Sequence, residues 1–147
     1  MRHQAIKFLE ALILLSMAVF LQLTLGEVSG VWINFPFAAL IALSFFLGFW
    51  ELVITVLIAV FLLNWQPSVS LEMVILAAFP LLSLWLHKLL PWQIWLSTLV
   101  AIFVGFLILY LSIGAVLIVK QANLFLIDLF GGLVYGILVS KLMEFRK

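Results

Sequence analysis

Cysteine is absent from this chain of 147 residues, and only 9% of the residues are charged. The absence of cysteine excludes disulfides, thiolate chemistry and cysteine-ligated metals. The two histidines, His3 and His87, stand far apart at the ends of apolar segments without neighbouring carboxylates, so we expect no metal site. A formal net charge of +1 and the lack of a long basic run give no indication of nucleic-acid binding.

Catalytic motifs are also missing. The sequence contains no HExxH, no glycine-rich phosphate loop and no serine–lysine or paired-aspartate motif. An integral-membrane enzyme needs a nucleophile, an acid–base pair or metal ligands close together, so we expect neither catalysis nor a cofactor. Asp128 is the one clear ionisable residue within an apolar segment, which disfavours an ion-coupled transporter or a polar-lined channel.

Hydrophobic residues, by contrast, make up 68% of the chain. A water-soluble domain of this size could not bury so much apolar surface, so we expect the bilayer to be its solvent. The apolar runs and the turn signals between them predict an all-α integral membrane protein, a single domain over residues 1–147 with six transmembrane helices. The predicted helices cover approximately residues 8–25, 35–48, 51–64, 71–87, 92–119 and 123–143.

Several residues define these helix boundaries. Pro36 stands in the first turn of the second helix, where its missing N–H costs little. The segment Gly48-Phe-Trp-Glu51 interrupts a hydrophobic stretch too long for one span, which predicts a hairpin turn there. The run over residues 92–119 is also longer than a perpendicular span needs, so we expect it to tilt, project beyond the bilayer, or bend near Gly105 or Gly114.

The basic residues predict the orientation of the chain. An even number of helices places both termini on the same side of the membrane, and lysines and arginines concentrate in cytoplasmic loops. With six helices, Lys120 stands alone on one side, and the other side carries Arg2, Lys7, Lys88, Lys141, Arg146 and Lys147. This asymmetry predicts that both termini are cytoplasmic.

The last apolar segment carries a stripe of small and acidic residues. Asp128, Gly132, Gly136 and Ser140 recur every four residues, so they share one face of a helix. A carboxylate facing lipid would be costly, and we therefore expect this face to contact other helices. Close packing inside one chain is favoured over a dimer interface. For Asp128, a functional or partner contact and a structural hydrogen bond are both open.

The chain resembles the MreD family, the small membrane subunit of the bacterial rod-shape machinery. The resemblance covers most of the chain as a pattern of size, six predicted helices and basic ends. Its local motifs are Pro36 before an apolar second helix, the Gly48-Phe-Trp-Glu51 turn, the polar Asn64 ending the third helix, and Asn123, Asp128 and Val134-Tyr135 in the last helix.

This resemblance implies a non-enzymatic scaffold subunit of the peptidoglycan elongation machinery in the bacterial inner membrane. The expected partners are an MreC-like membrane protein, an MreB-like filament and a glycan polymerase or transpeptidase. We expect the contacts to involve Asp128 and the face formed by Gly132, Gly136 and Ser140. Glu51 and Asn64 are candidates through the resemblance alone.

The MreD family is similar in fold to the substrate-binding (S) subunits of energy-coupling-factor (ECF) transporters, which gives the alternative function. Such a subunit would bind a vitamin or another small molecule at the extracytoplasmic ends of its helices. The predicted outer loops offer no dense polar cluster, which favours the scaffold. Their polar and interfacial residues are Glu27, Ser29, Trp32, Asn34, Gln66 and Lys120.

Overall fold

The computed structural model describes residues 2–30, 33–63, 71–89 and 93–145. Within these ranges the chain is helical, without a β-strand. The helices are α1 (Arg2–Ser29), α2 (Phe35–Ser44), α3 (Phe49–Leu63), α4 (Leu71–Leu89), α5 (Ile94–Ile113), α6 (Ala115–Lys120) and α7 (Ala122–Glu144). Among the described residues, α1, α4, α5 and α7 are long and apolar enough to cross a membrane, and α2 and α3 are shorter apolar helices.

Helix α2 forms the centre of the bundle. All of its 10 residues are buried, and it packs against α1, α3, α4, α5 and α7. A helix that is apolar on every side is suited to such a position because it has no polar face to leave outside. Ala38, Ala39 and Ala42 each have no exposed surface, and their small side chains allow the neighbouring helices to approach closely.

Helix α1 extends beyond the predicted span of residues 8–25 at both ends. It covers 28 residues without a proline, and it continues through Gly26. Gly30 has a φ of +69°, a conformation in which glycine commonly terminates helices. The Gly30 N–H still donates to the Gly26 carbonyl over 3.1 Å. The more polar residues on both sides of the predicted span 8–25 therefore belong to the same helix.

The turn between α2 and α3 comes earlier than the sequence predicted. Helix α2 ends at Ser44, and Phe45 to Gly48 form the turn. The Phe45 N–H bonds to the Ala42 carbonyl over 3.3 Å, and the Phe46 N–H bonds to the Leu43 carbonyl over 3.0 Å, which tightens the helix end. The predicted boundary of residue 48 was wrong because apolar residues continue through this turn without a sequence signal.

The long apolar run predicted over residues 92–119 bends at Gly114. This glycine has a φ of +152° and separates α5 from the short helix α6. Gly105, the other predicted position, lies inside α5, where an added Cβ would come within 2.8 Å of the Phe79 ring. Gly105 therefore serves close packing of α5 on α4, whereas Gly114 supplies the backbone conformation of the bend.

The two ends of the bundle can be identified from shared surfaces. Glu10 of α1 and Met143 of α7 line one groove, so the described parts of the two chain termini lie at the same end. Gln22, Asn34 and Glu72 surround a cavity at the other end, which we call the Asn34 end. The predictions that concern Trp32, Asn64, Gln66, Arg146 and Lys147 lie outside the described residues.

Candidate functional site

Asp128 is the centre of the candidate site. Its side chain is buried, with 2% of its surface exposed. One carboxylate oxygen, Oδ2, accepts a hydrogen bond from the Tyr110 hydroxyl over 2.5 Å. The other, Oδ1, accepts the Asn34 backbone N–H over 2.7 Å. The carboxylate therefore joins α7 to α5 and to the residue that precedes α2.

The Asp128 carboxylate stabilises the start of α2. The first N–H groups of a helix have no partner within the helix and carry partial positive charge. Asn34 occupies the N-cap position but forms no capping hydrogen bond with its own side chain. The Asp128 carboxylate lies at this helix start and accepts the Asn34 N–H. Asp128 thus makes, from α7, the bond to the N-cap N–H that a glutamate or glutamine three residues into the helix makes in a capping box.

Tyr110 is held in place by a second aromatic residue. Its ring packs edge-on against Phe125, with 4.8 Å between the ring centroids. Buried tyrosines usually place their hydroxyl on a polar partner while the ring fills apolar space, and Tyr110 does both. The sequence shows a hydroxyl donor, Tyr110, and an acceptor, Asp128, in neighbouring apolar segments. It does not show that the two residues meet, because they belong to different helices.

The small residues of the stripe allow α7 to approach α2 and α5. A Cβ added at Gly132 would lie 2.7 Å from Phe106 Cζ. A Cβ added at Gly136 would overlap the Cδ1 methyl of Ile102. Ser140 donates a hydrogen bond to the Thr98 hydroxyl over 3.2 Å. The face is therefore packed against helices of the same chain.

The four predicted contact residues of α7 thus lie together, and they lie inside the bundle. Asp128, Gly132, Gly136 and Ser140 are all buried. A partner helix could reach them only if α2 or α5 moved away. A role for these residues in partner contact stays a prediction, and the contacts described here are with the chain itself.

Glu51 lies in the first turn of α3, away from the Asp128 site along the chain. Its carboxylate accepts the Gly48 backbone N–H over 3.0 Å, and the Leu52 N–H bonds to the Gly48 carbonyl over 2.9 Å. This is the reciprocal half of a capping box, in which the third helical residue bonds back to the N-cap backbone. Glu51 therefore stabilises the start of α3. The predicted partner role of Glu51 is untested, and Asn64 lies outside the described residues.

Two further polar contacts within the bundle were not anticipated from the sequence. The hydroxyls of Ser44 and Ser83 lie 2.5 Å apart, joining α2 to α4. The Tyr135 hydroxyl donates to the Leu14 carbonyl over 2.7 Å, joining α7 to α1. Ser44 is small enough to permit close packing of the helices, and its hydroxyl also bonds across the interface between them.

A cavity of about 190 Å³ lies at the Asn34 end. Gln22, Asn34 and Glu72 contribute its polar surface, and Leu63, Leu76 and Leu109 are among its apolar lining residues. Asn34 also belongs to the Asp128 site, so the cavity and that site are contiguous. The Gln22 Oε1 atom is buried and has no hydrogen-bond partner in the part of the chain that the structure describes.

The described residues contain no group of three or more metal-ligating side chains that could hold a metal ion. No protein-family model, curated protein sequence or solved structure matches the chain. The fold and the site therefore define an all-α bundle with four helices of membrane-spanning length among the described residues. Its interior is joined by a buried carboxylate and several hydroxyls.

Proposed function

We propose that the chain is a six-span protein of the bacterial inner membrane with cytoplasmic termini. The four long helices supply four spans, and the α2–α3 hairpin supplies two more. Helix α2 has 10 residues, about 15 Å at 1.5 Å per residue, which is too short to cross hydrocarbon alone. Its neighbours surround it, so both of its ends can be buried in protein within the membrane. Backbone that ends a helix at membrane depth is tolerated where protein buries it. The orientation is supported by the basic residues at helix ends, since Arg2 and Lys7 lie near the start of α1 and Lys88 and Lys141 lie in the last turns of α4 and α7.

We propose further that the protein is a non-enzymatic scaffold subunit of the peptidoglycan elongation machinery. The observation that carries this proposal is the filled core, since α2 occupies the centre and all of its residues are buried. The cavity at the Asn34 end, about 190 Å³, is smaller than the roughly 300–1,000 Å³ typical of small-molecule sites. This cavity is therefore too small for a vitamin-sized ligand, which favours a function carried out by the outer surface of the bundle.

The proposed partners are those that the resemblance to the MreD family implies. They are an MreC-like membrane protein, an MreB-like filament and a glycan polymerase or transpeptidase. The exposed side chains of the long helices are broadly apolar, which suits a surface surrounded by lipid or by other membrane helices. Crosslinking from this surface distinguishes a partner protein from lipid.

The experiment uses photo-crosslinking from the membrane-facing surface of the full-length protein in its own host. A photoreactive phenylalanine analogue replaces one aromatic residue at a time, and adducts are identified by mass spectrometry after purification. Each chosen side chain is at least two-thirds exposed and belongs to a different helix: Phe20 of α1, Phe61 of α3, Trp85 of α4 and Phe130 of α7.

The matched control is Phe106, which is an aromatic residue with no exposed surface. We expect adducts with wall-elongation proteins from one or two of the exposed positions and only intramolecular products from Phe106. Adducts with a transmembrane coupling subunit and its paired ATPases would instead support the substrate-binding subunit of an ECF transporter. Lipid adducts alone at all four exposed positions would contradict the scaffold.

A further inference from the structure

Three tryptophans are exposed near the ends of helices α3, α4 and α5. Trp50 lies in the first turn of α3, Trp85 lies about one turn before the end of α4, and Trp95 is the second residue of α5. Their side chains are 75%, 68% and 39% exposed. Lys88, which is also exposed, lies beside Trp85. We call these four residues the tryptophan surface.

Contacts between helices place the tryptophan surface at the end of the bundle where the described parts of the chain termini lie. The Phe45 ring, in the turn before α3, packs edge-on against His87 near the end of α4, with 5.2 Å between the ring centroids. Only residues 90–93 separate α4 from α5. The Ser140 hydroxyl bonds to Thr98 over 3.2 Å, so the start of α5 lies beside the end of α7. The starts of α3 and α5 and the end of α4 therefore share one end of the bundle with the end of α7.

The length of α5 relates this end to the bilayer. Its 20 residues extend about 30 Å at 1.5 Å per residue, which is the thickness of the hydrocarbon core. Phe103 lies in the middle of α5, and Trp95 lies about 12 Å from it along the helix axis. A helix of this length centred in the bilayer has Trp95 close to the boundary between the acyl chains and the headgroups.

The chemistry of these side chains suits this boundary. An indole combines a large apolar ring system with one N–H donor, and tryptophan is enriched where acyl chains meet headgroups. The Trp95 Nε1–H donates to Gln93 Oε1 over 2.6 Å, so it is directed toward the polar residue that precedes α5. The Lys88 ammonium lies over the Trp85 ring, 5.8 Å from its centroid. An ammonium has three donors and no acceptor, which complements the oxygens of a phosphate.

The arrangement of the tryptophans favours lipid over a partner protein as the occupant of this surface. Aromatic residues are also enriched at protein interfaces. However, a partner helix in the membrane would run along the length of the bundle, whereas Trp50, Trp85 and Trp95 lie across it at one end. A layer of headgroups parallel to the membrane has this geometry.

We infer that Trp50, Trp85 and Trp95 lie in the headgroup layer of the leaflet on the side of the chain termini, and that Lys88 binds the phosphate of an anionic phospholipid there. This inference rests on the membrane insertion proposed above and adds which residues meet the headgroups. Glu51 follows Trp50 in the chain, so the preference for anionic lipid is assigned to the Trp85 and Lys88 pair alone.

The depth of each tryptophan is measured by fluorescence of the full-length protein in lipid vesicles. Three variants each keep one of Trp50, Trp85 and Trp95 and have phenylalanine at the other tryptophan positions. Bromine atoms on lipids quench indoles at their own depth, so lipids brominated near the headgroup are compared with lipids brominated near the ends of the acyl chains. We expect stronger quenching of all three tryptophans by bromine near the headgroup.

The matched control for depth has phenylalanine at all tryptophan positions and carries Phe103→Trp. Phe103 is 46% exposed and lies in the middle of α5, so we expect this variant to be quenched more strongly by bromine near the chain ends. If the multiply substituted proteins do not fold, single Trp50→Phe, Trp85→Phe and Trp95→Phe variants of the otherwise unchanged protein give the same depths by difference.

The role of Lys88 is tested in vesicles of mixed lipid in which only the anionic lipid is brominated. We expect this lipid to be enriched about fivefold beside Trp85, the effect of one lysine at an anionic surface, and we expect Lys88→Gln to remove the enrichment. Lys120→Gln is the matched control, because Lys120 is the last residue of α6, which follows the other end of α5. This variant should retain the enrichment beside Trp85.

The outcomes distinguish the inference from the proposed membrane insertion. Stronger quenching of Trp50, Trp85 and Trp95 by bromine near the chain ends would overturn the inference and leave membrane insertion intact. Equal enrichment of anionic lipid in Lys88→Gln and the unchanged protein would overturn the assignment of Lys88. Absence of quenching of the Phe103→Trp control by either lipid would contradict both membrane insertion and the inference.

Discussion

The Tyr110 hydroxyl donates a hydrogen bond of 2.5 Å to the Asp128 carboxylate and so connects α5 to α7. The other oxygen of the same carboxylate holds the Asn34 backbone at the start of α2. A single acid thus fixes three helices relative to one another. Asp128 therefore forms structural hydrogen bonds between helices, one of the two roles that the sequence left open.

Replacing Tyr110 with phenylalanine removes this donor and keeps the ring. We expect the free energy of unfolding to fall by about 0.5–2 kcal/mol, the range of interhelical hydrogen bonds in membranes and of bonds to charged groups. Reversible unfolding in mixed micelles of increasing SDS fraction measures the change. Ser16→Ala is the control, because the exposed Ser16 hydroxyl bonds only within its own helix, to the Leu12 carbonyl over 2.8 Å. Equal stability of the two variants would contradict the prediction.

A substitution of Gly136 by alanine tests the close approach of α7. Its new Cβ would overlap Ile102 Cδ1. Overpacking in a core costs about 1–3 kcal/mol, and the higher helix propensity of alanine offsets about 1 kcal/mol of this, so we expect a net loss of about 0–2 kcal/mol. Valine lacks the Cδ1 methyl, so we expect Ile102→Val to restore most of the stability lost in Gly136→Ala. The same SDS titration compares the two single variants with the double variant. A double variant that is less stable than Gly136→Ala would refute this account of the packing.

The Ser44 and Ser83 pair predicts non-additive substitutions. Ser44 is also placed to donate to the Ile41 carbonyl over 2.6 Å, and Ser83 to the Pro80 carbonyl over 2.7 Å. Each hydroxyl has one proton, so the two serines cannot form all three hydrogen bonds at once. We expect Ser44→Ala and Ser83→Ala together to cost about 0.5–1 kcal/mol less than the sum of the single changes. Additivity within about 0.3 kcal/mol would show that the hydroxyls act independently.

Two substitutions of Glu51 distinguish its role in capping α3 from a role in binding a partner. Glutamine can replace glutamate in a capping box, so Glu51→Gln should keep the start of α3, whereas Glu51→Ala should lose about 0.3–1.5 kcal/mol. Hydrogen exchange of the Gly48 amide reports this bond directly, and we expect it to be faster in Glu51→Ala alone. If Glu51→Gln keeps this protection but abolishes the crosslinks to partners, Glu51 contributes to binding beyond its capping role.

The sequence was informative where a local pattern carried the signal. The small face of α7 followed from a four-residue period, and Gly114 was one of two glycines expected to bend the long apolar run. The end of α2 at Ser44 was missed because Phe45, Phe46 and Leu47 are as apolar as the helix before them. Hydrophobicity identifies what avoids water, and it does not distinguish helix from turn inside a bundle.

The contacts of Asp128 could not be derived from the sequence. Asn34 precedes it by 94 residues and Tyr110 by 18, so both contacts depend on how whole helices pack. The sequence indicated that an acid in an apolar segment needs donors. Which groups supply them is decided by the arrangement of α2, α5 and α7 around one another.

The central position of α2 also has a consequence for synthesis of the chain. Helix α2 leaves the ribosome before α7, yet α7 is the helix against which it packs most extensively. Until α7 arrives, the start of α2 lacks the Asp128 carboxylate, and its 10 residues are too few to be stable across a bilayer by themselves. The nascent chain must therefore keep α2 beside α1 and α3, or within the insertion machinery, until α7 has been made. Interrupting translation before α7 would leave an inserted chain without a finished core.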